Sequence, residues 1–303
     1  MCVRRKANMS QPSLPRGLVV GVDGSAQSHT ALRWAAHDAK LRKVALTVVH
    51  VLPVELPGWG YGSGMAPLPQ DYGQLQEAQG RQILAEAVRV FGETAPNNGP
   101  VELHTELLFS SPVPTLIDLS KDAEMVVVGC RGHGAFGRVL LGSVSTGLVH
   151  HAHCPVAVIH DEASSPPNMA APVVVGIDGS PASELATAIA FDEASLRKVE
   201  LVALHSWADF SWPAMDTPFF RAQAEETLAE RLAGWGDRYP DVSVRQVVTP
   251  DEPARHLVEE AESAQLVVVG SHGRGGFTGM LLGSVSSAAV HAARTPVIVA
   301  RQH

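Results

Sequence analysis

The chain has 303 residues, 45% apolar and 18% charged, the proportions of an ordinary globular protein of about two domains. Its 23 basic and 31 acidic residues give a net charge of −8 with no long basic run, which disfavours nonspecific nucleic-acid binding. The three cysteines (Cys2, Cys130 and Cys154) are odd in number and lack metal-ligand spacing, as expected for a reducing, cytoplasmic setting.

Residues 1–16 carry positive charge but no apolar core of a signal peptide, and are expected to be disordered, with Met9 serving as well as Met1 for a start. A short apolar strand over 18–22 runs into Asp23-Gly24-Ser25, a turn followed by a helix N-cap. Helix one is predicted at 26–41, with Ala31, Leu32, Ala35, Ala36 and Ala39 on one small-residue face. Strand two follows at 44–51, then a Gly- and Pro-rich surface loop at 52–70 containing Trp59 and Tyr61. An amphipathic helix near 72–92 leads to strand three at 101–109 and helix three at 113–123. Strand four, 125–129, enters a glycine loop; helix four at 143–152 and strand five at 155–159 close the unit. No apolar run is long enough to span a bilayer.

The whole unit is then written again. VVGVDGS (19–25) returns as VVGIDGS (174–180), and LRKVALTVVH (41–50) returns as LRKVELVALH (196–205). VVVGCRGHGAFGRVLLGS (126–143) returns as VVVGSHGRGGFTGMLLGS (267–284), with a second amphipathic helix predicted at 217–235. Only the first copy carries the extra 14 residues around the 52–70 loop, which makes that loop a candidate for asymmetric partner contact. Continuous apolar strands alternating with helices imply parallel sheets covered on both faces. The expected fold is α/β: two tandem doubly wound, Rossmann-like domains at 17–161 and 173–303, joined by a proline-rich linker at 162–172.

In such sheets a ligand sits beyond the carboxyl ends of the strands, where strand order reverses. Asp23 and Asp178 end the first strand of each copy and offer a carboxylate to an adenine amine or a ribose hydroxyl. Each could equally cap its helix through an Asx turn, and the two roles are compatible. Both copies carry Gly-x2-Gly-x9-Gly-Ser: Gly129, Gly132, Gly142 and Ser143, then Gly270, Gly273, Gly283 and Ser284. Strand, glycine turn and helix start gather N–H donors around phosphate, and the serines can add hydroxyls. Arg131, Arg138 and Arg274 could reach phosphate, although lone loop arginines are more often solvated.

Two mimics fail on comparison of the copies. Gly132-x-Gly134-x2-Gly137 is a formal dinucleotide fingerprint, but it follows strand four and is broken at Thr278 in the second copy. Gly137 to Ser143 resembles a P-loop with Leu141 in the lysine position, so fast ATP hydrolysis is not supported. His150, His151, His153 and Cys154 look like metal ligands. Their consecutive spacing at a helix end spreads them around the axis, and the second copy keeps only His291, so no metal is expected. Cys130 becomes Ser271 in the second copy and reads as buried and inert.

These motifs, with the endings HAHCPVAVI (151–159) and HAARTPVIV (291–299), resemble the tandem, ATP-binding form of the universal stress protein family. The resemblance implies a parallel five-stranded sheet per domain, of order 3-2-1-4-5, holding one ATP each, an accompanying Mg2+ being an option. It implies that Asp23 and Asp178 meet the adenine or ribose end, that the backbone near Val49 and Leu204 lines adenine, and that Gly129 and Gly270 approach ribose. Gly132, Gly142, Ser143, Gly273, Gly283 and Ser284 would hold the phosphates. Gly21, Gly176, Cys130, Arg131, His133, Gly134, Arg138, Ser271, His272, Arg274, Gly275 and Val285 complete the candidate set. The loops differ at Cys130, Arg131 and His133 against Ser271, His272 and Arg274, so equal affinity is not implied. Pairing through the last strands, within the chain and in a homodimer, is also implied. The function implied is a nucleotide-dependent regulator of stress response, dormancy or growth with an unidentified protein partner, not an enzyme. A slow ATPase and a sensor of AMP or cyclic AMP remain the alternatives.

Overall fold

The computed structural model describes residues 16–53, 72–94, 101–132, 141–160, 168–207, 218–274 and 281–301. The N-terminal segment before residue 16, nearly all of the 52–70 loop with Trp59 and Tyr61, and linker residues 161–167 lie outside them.

The first half runs β1 (Leu18–Gly21), α1 (Ala26–Arg42), β2 (Leu46–Leu52), α2 (Tyr72–Thr94), β3 (Leu103–Phe109), α3 (Pro112–Leu119), β4 (Met125–Gly129), α4 (Ser143–His151) and β5 (Val156–Ile159). The second half runs β6 (Val173–Gly176), α5 (Pro181–Arg197), β7 (Leu201–Ser206), α6 (Pro218–Leu232), α7 (Trp235–Arg238), β8 (Val244–Thr249), α8 (Pro253–Ala261), β9 (Leu266–Gly270), α9 (Ser284–Ala292) and β10 (Val297–Ala300). Strand order is β3-β2-β1-β4-β5-β10-β9-β6-β7-β8, so each half reads 3-2-1-4-5 in its own strands. All neighbours are parallel except one pair. β5 and β10 run antiparallel, with Ala157 opposite Ile298, and join the halves into one ten-stranded sheet.

That seam removes both last-strand edges, which would otherwise expose unpaired backbone groups. Its residues Val156, Ala157, Val158, Val297, Ile298 and Val299 are all fully buried. The apolar strands alternate between two cores. Leu18, Val20 and Val48 face α1 and α2, whereas Val19, Val49 and Val128 face α3 and α4. The alanine face of α1 is fully buried, so the helix lies close on the sheet. Among the described residues no helix is long and apolar enough to cross a membrane.

The ends of the elements differ from the sequence expectation for identifiable reasons. Ser25 caps α1 by accepting from Ser28 N–H, as expected, but the helix closes on Lys43 in the left-handed region (φ 58°). Val44 N–H then donates to Ala39 O at 3.0 Å, which delays β2 to Leu46. Lys198 (φ 57°) repeats this after α5. The helix expected over 217–235 ends at Leu232, because Gly234 (φ 82°) turns the chain and α7 is only one turn long. Helix three stops at Leu119, not residue 123, and Ser120 Oγ is engaged instead by His153 N–H at 2.8 Å.

One feature escaped the sequence entirely. Asp38 and Arg42 of α1 meet Glu193 and Arg197 of α5, and all four ion pairs among them are formed. Both acids are fully buried, and the quartet links the two halves on the face opposite α4 and α9.

Candidate functional site

β1 delivers Asp23 to the carboxyl edge of the sheet, where Val22 N–H extends the ladder by donating to Val49 O at 2.9 Å. Asp23 Oδ1 accepts from Ser25 N–H at 3.0 Å and from Ser25 Oγ–H, so the Asx turn is formed. Its other oxygen points across the sheet at Gly132. A Cβ on Gly132 would collide with Asp23 Oδ2, so the first aspartate and the glycine loop abut. The second half repeats this. Asp178 Oδ1 accepts from Ser180 N–H at 2.9 Å, and a Cβ on Gly273 would stand 2.5 Å from Asp178 Oδ2.

The loop returns to a helix. Gly142 N–H donates to Cys130 O at 2.8 Å, and Gly283 N–H to Ser271 O at 2.8 Å. Gly142 and Gly283 are the N-caps of α4 and α9, with Ser143 and Ser284 as first helical residues, and no side chain caps either helix. First-turn N–H groups lack intrahelical acceptors and carry the positive end of the helix dipole, so each end is suited to an anion. Ser145 Oγ–H donates to Cys130 O and Gly142 O, both at 3.0 Å, and Ser286 Oγ–H donates to Gly270 O at 2.5 Å. These serines lace loop to helix; the repeated GSVS was the signal for them.

In the first half these parts surround a cavity of about 670 Å3, within the roughly 300–1,000 Å3 of small-molecule clefts. Of the expected residues, Gly21, Asp23, Val49, Gly129, Arg131, Gly132, Gly142 and Ser143 line it. Val51, Leu116, Leu141 and Val144 add apolar wall, and Ser28, His50 and Ser145 add polar groups. Cys130 is buried behind the wall and serves through its carbonyl. Gly129 has a packing role as well: a Cβ there would come 3.2 Å from the backbone of Gln27 in α1. Gly270 is tighter still, with Ala182 C at 2.8 Å. His133, Gly134, Arg138 and Gly275 lie outside the described residues.

The second half has the same skeleton with different furniture. Gly176 and Leu204 pair in register at the sheet end, while Val285 lies in the first turn of α9. Arg274 N–H donates to Asp178 Oδ2 at 3.0 Å. The guanidinium of Arg274 and that of Arg231, from α6, stand over Gly179, where a Cβ would lie 2.8 and 2.9 Å from them. His272 Nδ1 contacts Ser271 Oγ at 3.1 Å, and Ser180 Oγ–H donates to His272 O.

Two histidines were not singled out from sequence although they occupy matched positions near the ends of β2 and β7. His50 Nδ1 lies 2.7 Å from Val22 O and His205 Nδ1 2.7 Å from Ile177 O; a carbonyl only accepts, so Nδ1 carries the proton in each. Burial pushes the His205 imidazole below its ordinary value of 6.5. The hydrogen bond to Ile177 opposes this, and Arg274 reinforces it. Among the described residues no group of three or more His, Cys, Asp or Glu side chains is placed to hold a metal ion.

A sheet of this order, with carboxylate and glycine loop meeting where it reverses, defines a tandem doubly wound α/β protein. The universal stress protein family matches residues 16–160 and 169–301, and the chain belongs to that family. A universal stress protein of Mycobacterium tuberculosis is 56% identical over 298 residues, spanning 97% of this chain and 100% of the relative. A second from the same organism is 52% identical over 298 residues, spanning 97% and 99%. The crystal structure of a universal stress protein from Archaeoglobus fulgidus aligns with a TM-score of 0.68 at 20% identity, over 95% of this chain and 99% of that one, and shares the fold.

Proposed function

We propose that each half binds one ATP at the carboxyl edge of its sheet, and that the nucleotide acts as a conformational ligand in a regulatory protein of stress or slow growth. The observation that carries this reading is the juxtaposition of Asp23 and Gly132 at a 670 Å3 cavity with an apolar wall at one side and the uncapped α4 N-terminus at the other. Val49, Val51 and Leu116 suit the faces of a base, Asp23 suits the ribose or the base amine, and Gly142 and Ser143 open the helix end to phosphate. Asp178, Gly273, Gly283 and Ser284 take the same roles in the second half. Leu141, on the cavity wall where a P-loop would carry lysine, favours a bound ligand over a rapidly hydrolysed substrate.

The test is to denature the purified protein and identify released small molecules by mass spectrometry, then titrate the nucleotide-free chain with ATP. Released adenine nucleotide, or saturable ATP binding, supports the reading. The absence of both would overturn it, and ADP formation at many turnovers per minute would replace ligand by substrate.

A further inference from the structure

Each half sends the residue after its last strand across the seam to the C-terminal end of the other half's last helix. Arg301, directly after β10, donates through Nη1 to Val149 O at 2.6 Å and through Nε to Ala152 O at 3.1 Å, at the end of α4. His160, directly after β5, stands with Nε2 2.9 Å from Val290 O in the last turn of α9. A carbonyl only accepts, so Nε2 of His160 donates. Arg301 does more than its counterpart. Its Nη1 also donates to Leu281 O at 3.2 Å, two residues ahead of Gly283, the N-cap of α9. The same strand end holds the start of that glycine loop, for Ser271 N–H donates to Ala300 O at 3.1 Å.

One guanidinium therefore joins the far end of a helix in the first half to the glycine loop of the second. α4 opens at Gly142 and Ser143 on the wall of the first cavity and closes about 13 Å further on, at the carbonyls that Arg301 grips. An anion at the first-turn N–H groups polarises the hydrogen-bond chains along the helix and makes the last carbonyls better acceptors. Arg301 is then held more firmly from the first half, and with it Leu281 on the approach to Gly283 and Ser284. A rigid planar fork of donors can fix three carbonyls relative to one another, whereas the compact ammonium of a lysine cannot.

We infer that Arg301 is a positioning residue that couples the two nucleotide sites, so that filling the first tightens the second and, by linkage, filling the second tightens the first. This rests on the proposal that both halves bind nucleotide. Arg301 is not part of the first cavity's wall and acts through α4 and Leu281.

The experiment is titration of the full chain with ATP under native mass spectrometry, which counts chains carrying none, one and two ATP. Calorimetry of Asp23→Ala and Asp178→Ala chains gives the affinity of each site while the other is empty. In the wild type, double occupancy is expected to exceed the product of those two affinities about fivefold. Arg301→Lys keeps a cation at the end of α4 but not the fork. It is expected to bring that factor to near one while changing each single-site affinity by less than about twofold. A wild-type factor of one or below, or a factor that survives Arg301→Lys, overturns the inference. So does weaker ATP binding by the Asp23→Ala chain on Arg301→Lys with the factor unchanged, which would make Arg301 a plain support of the second site. Two ATP still bound by either aspartate variant would overturn the site assignment and the inference with it. Absence of ATP binding in every chain, wild type included, overturns the nucleotide reading itself.

Discussion

Arg197 and Asp38 lie 159 residues apart and meet with Nη2 2.7 Å from Oδ1, both side chains almost wholly out of solvent. Glu193 and Arg42 complete a charge-neutral square across the two halves, and Trp34 lies under the Arg197 guanidinium with its ring centre 5.8 Å away. Removing one member strands the opposite charge in a dry site. Arg197→Met should therefore cost about 3–5 kcal/mol in urea unfolding. Replacing all four by Leu and Met of similar volume should recover most of that loss. A cost below about 1 kcal/mol for the single change would mean that water reaches the square.

Acid should loosen the fold through His37 and His205. Burial lowers the pKa of both below the ordinary 6.5, and Arg197 adds to the effect at His37. The unfolded chain therefore takes up protons first as pH falls below about 6.5, so stability is constant above that value and is lost toward the depressed folded value. Melting temperature followed from pH 7.5 to 5 should fall more steeply in the wild type than in a His37→Gln/His205→Gln chain. Parallel curves would contradict the assignment.

The glycine nearest each aspartate is a steric requirement. Gly273→Ala places a methyl against Asp178 Oδ2 and displaces the carboxylate from Arg274 N–H. Affinity of the second site for ATP should drop about tenfold or more, while stability changes by roughly the 0.5–1.5 kcal/mol of one hydrogen bond. Gly132→Ala should act likewise on the first site. Calorimetry and urea unfolding of the same preparations separate the two effects.

The thiols should be silent in the native protein. Cys130 and Cys154 are 3% and 6% exposed, and burial pushes the Cys154 thiol up to about 12. In a Cys2→Ser chain, a thiol reagent at pH 8 should count no groups in native buffer and two in urea.

Much of this architecture was legible in the chain because its signals are local. Apolar runs mark the strands, Ser25 and Ser180 mark helix starts, and the repeated glycines lead to Gly132 and Gly273 beside the aspartates. Relations that depend on register were not legible. Asp38 and Arg42 are an i,i+4 pair within α1, and nothing local in the chain announces that Glu193 and Arg197, from the half joined through the β5–β10 seam, meet them. Arg231 comes from α6, in the stretch where the first half's extra residues blur the repeat, so no motif pointed to it.

One nucleotide is proposed in each half, held by Asp23 in one and by Asp178 in the other. Native mass spectrometry of the ATP-saturated chain tests it directly. Two nucleotides per chain are expected, one in Asp23→Ala or Asp178→Ala alone, and none when both are replaced. Two nucleotides still bound in the double variant would contradict it.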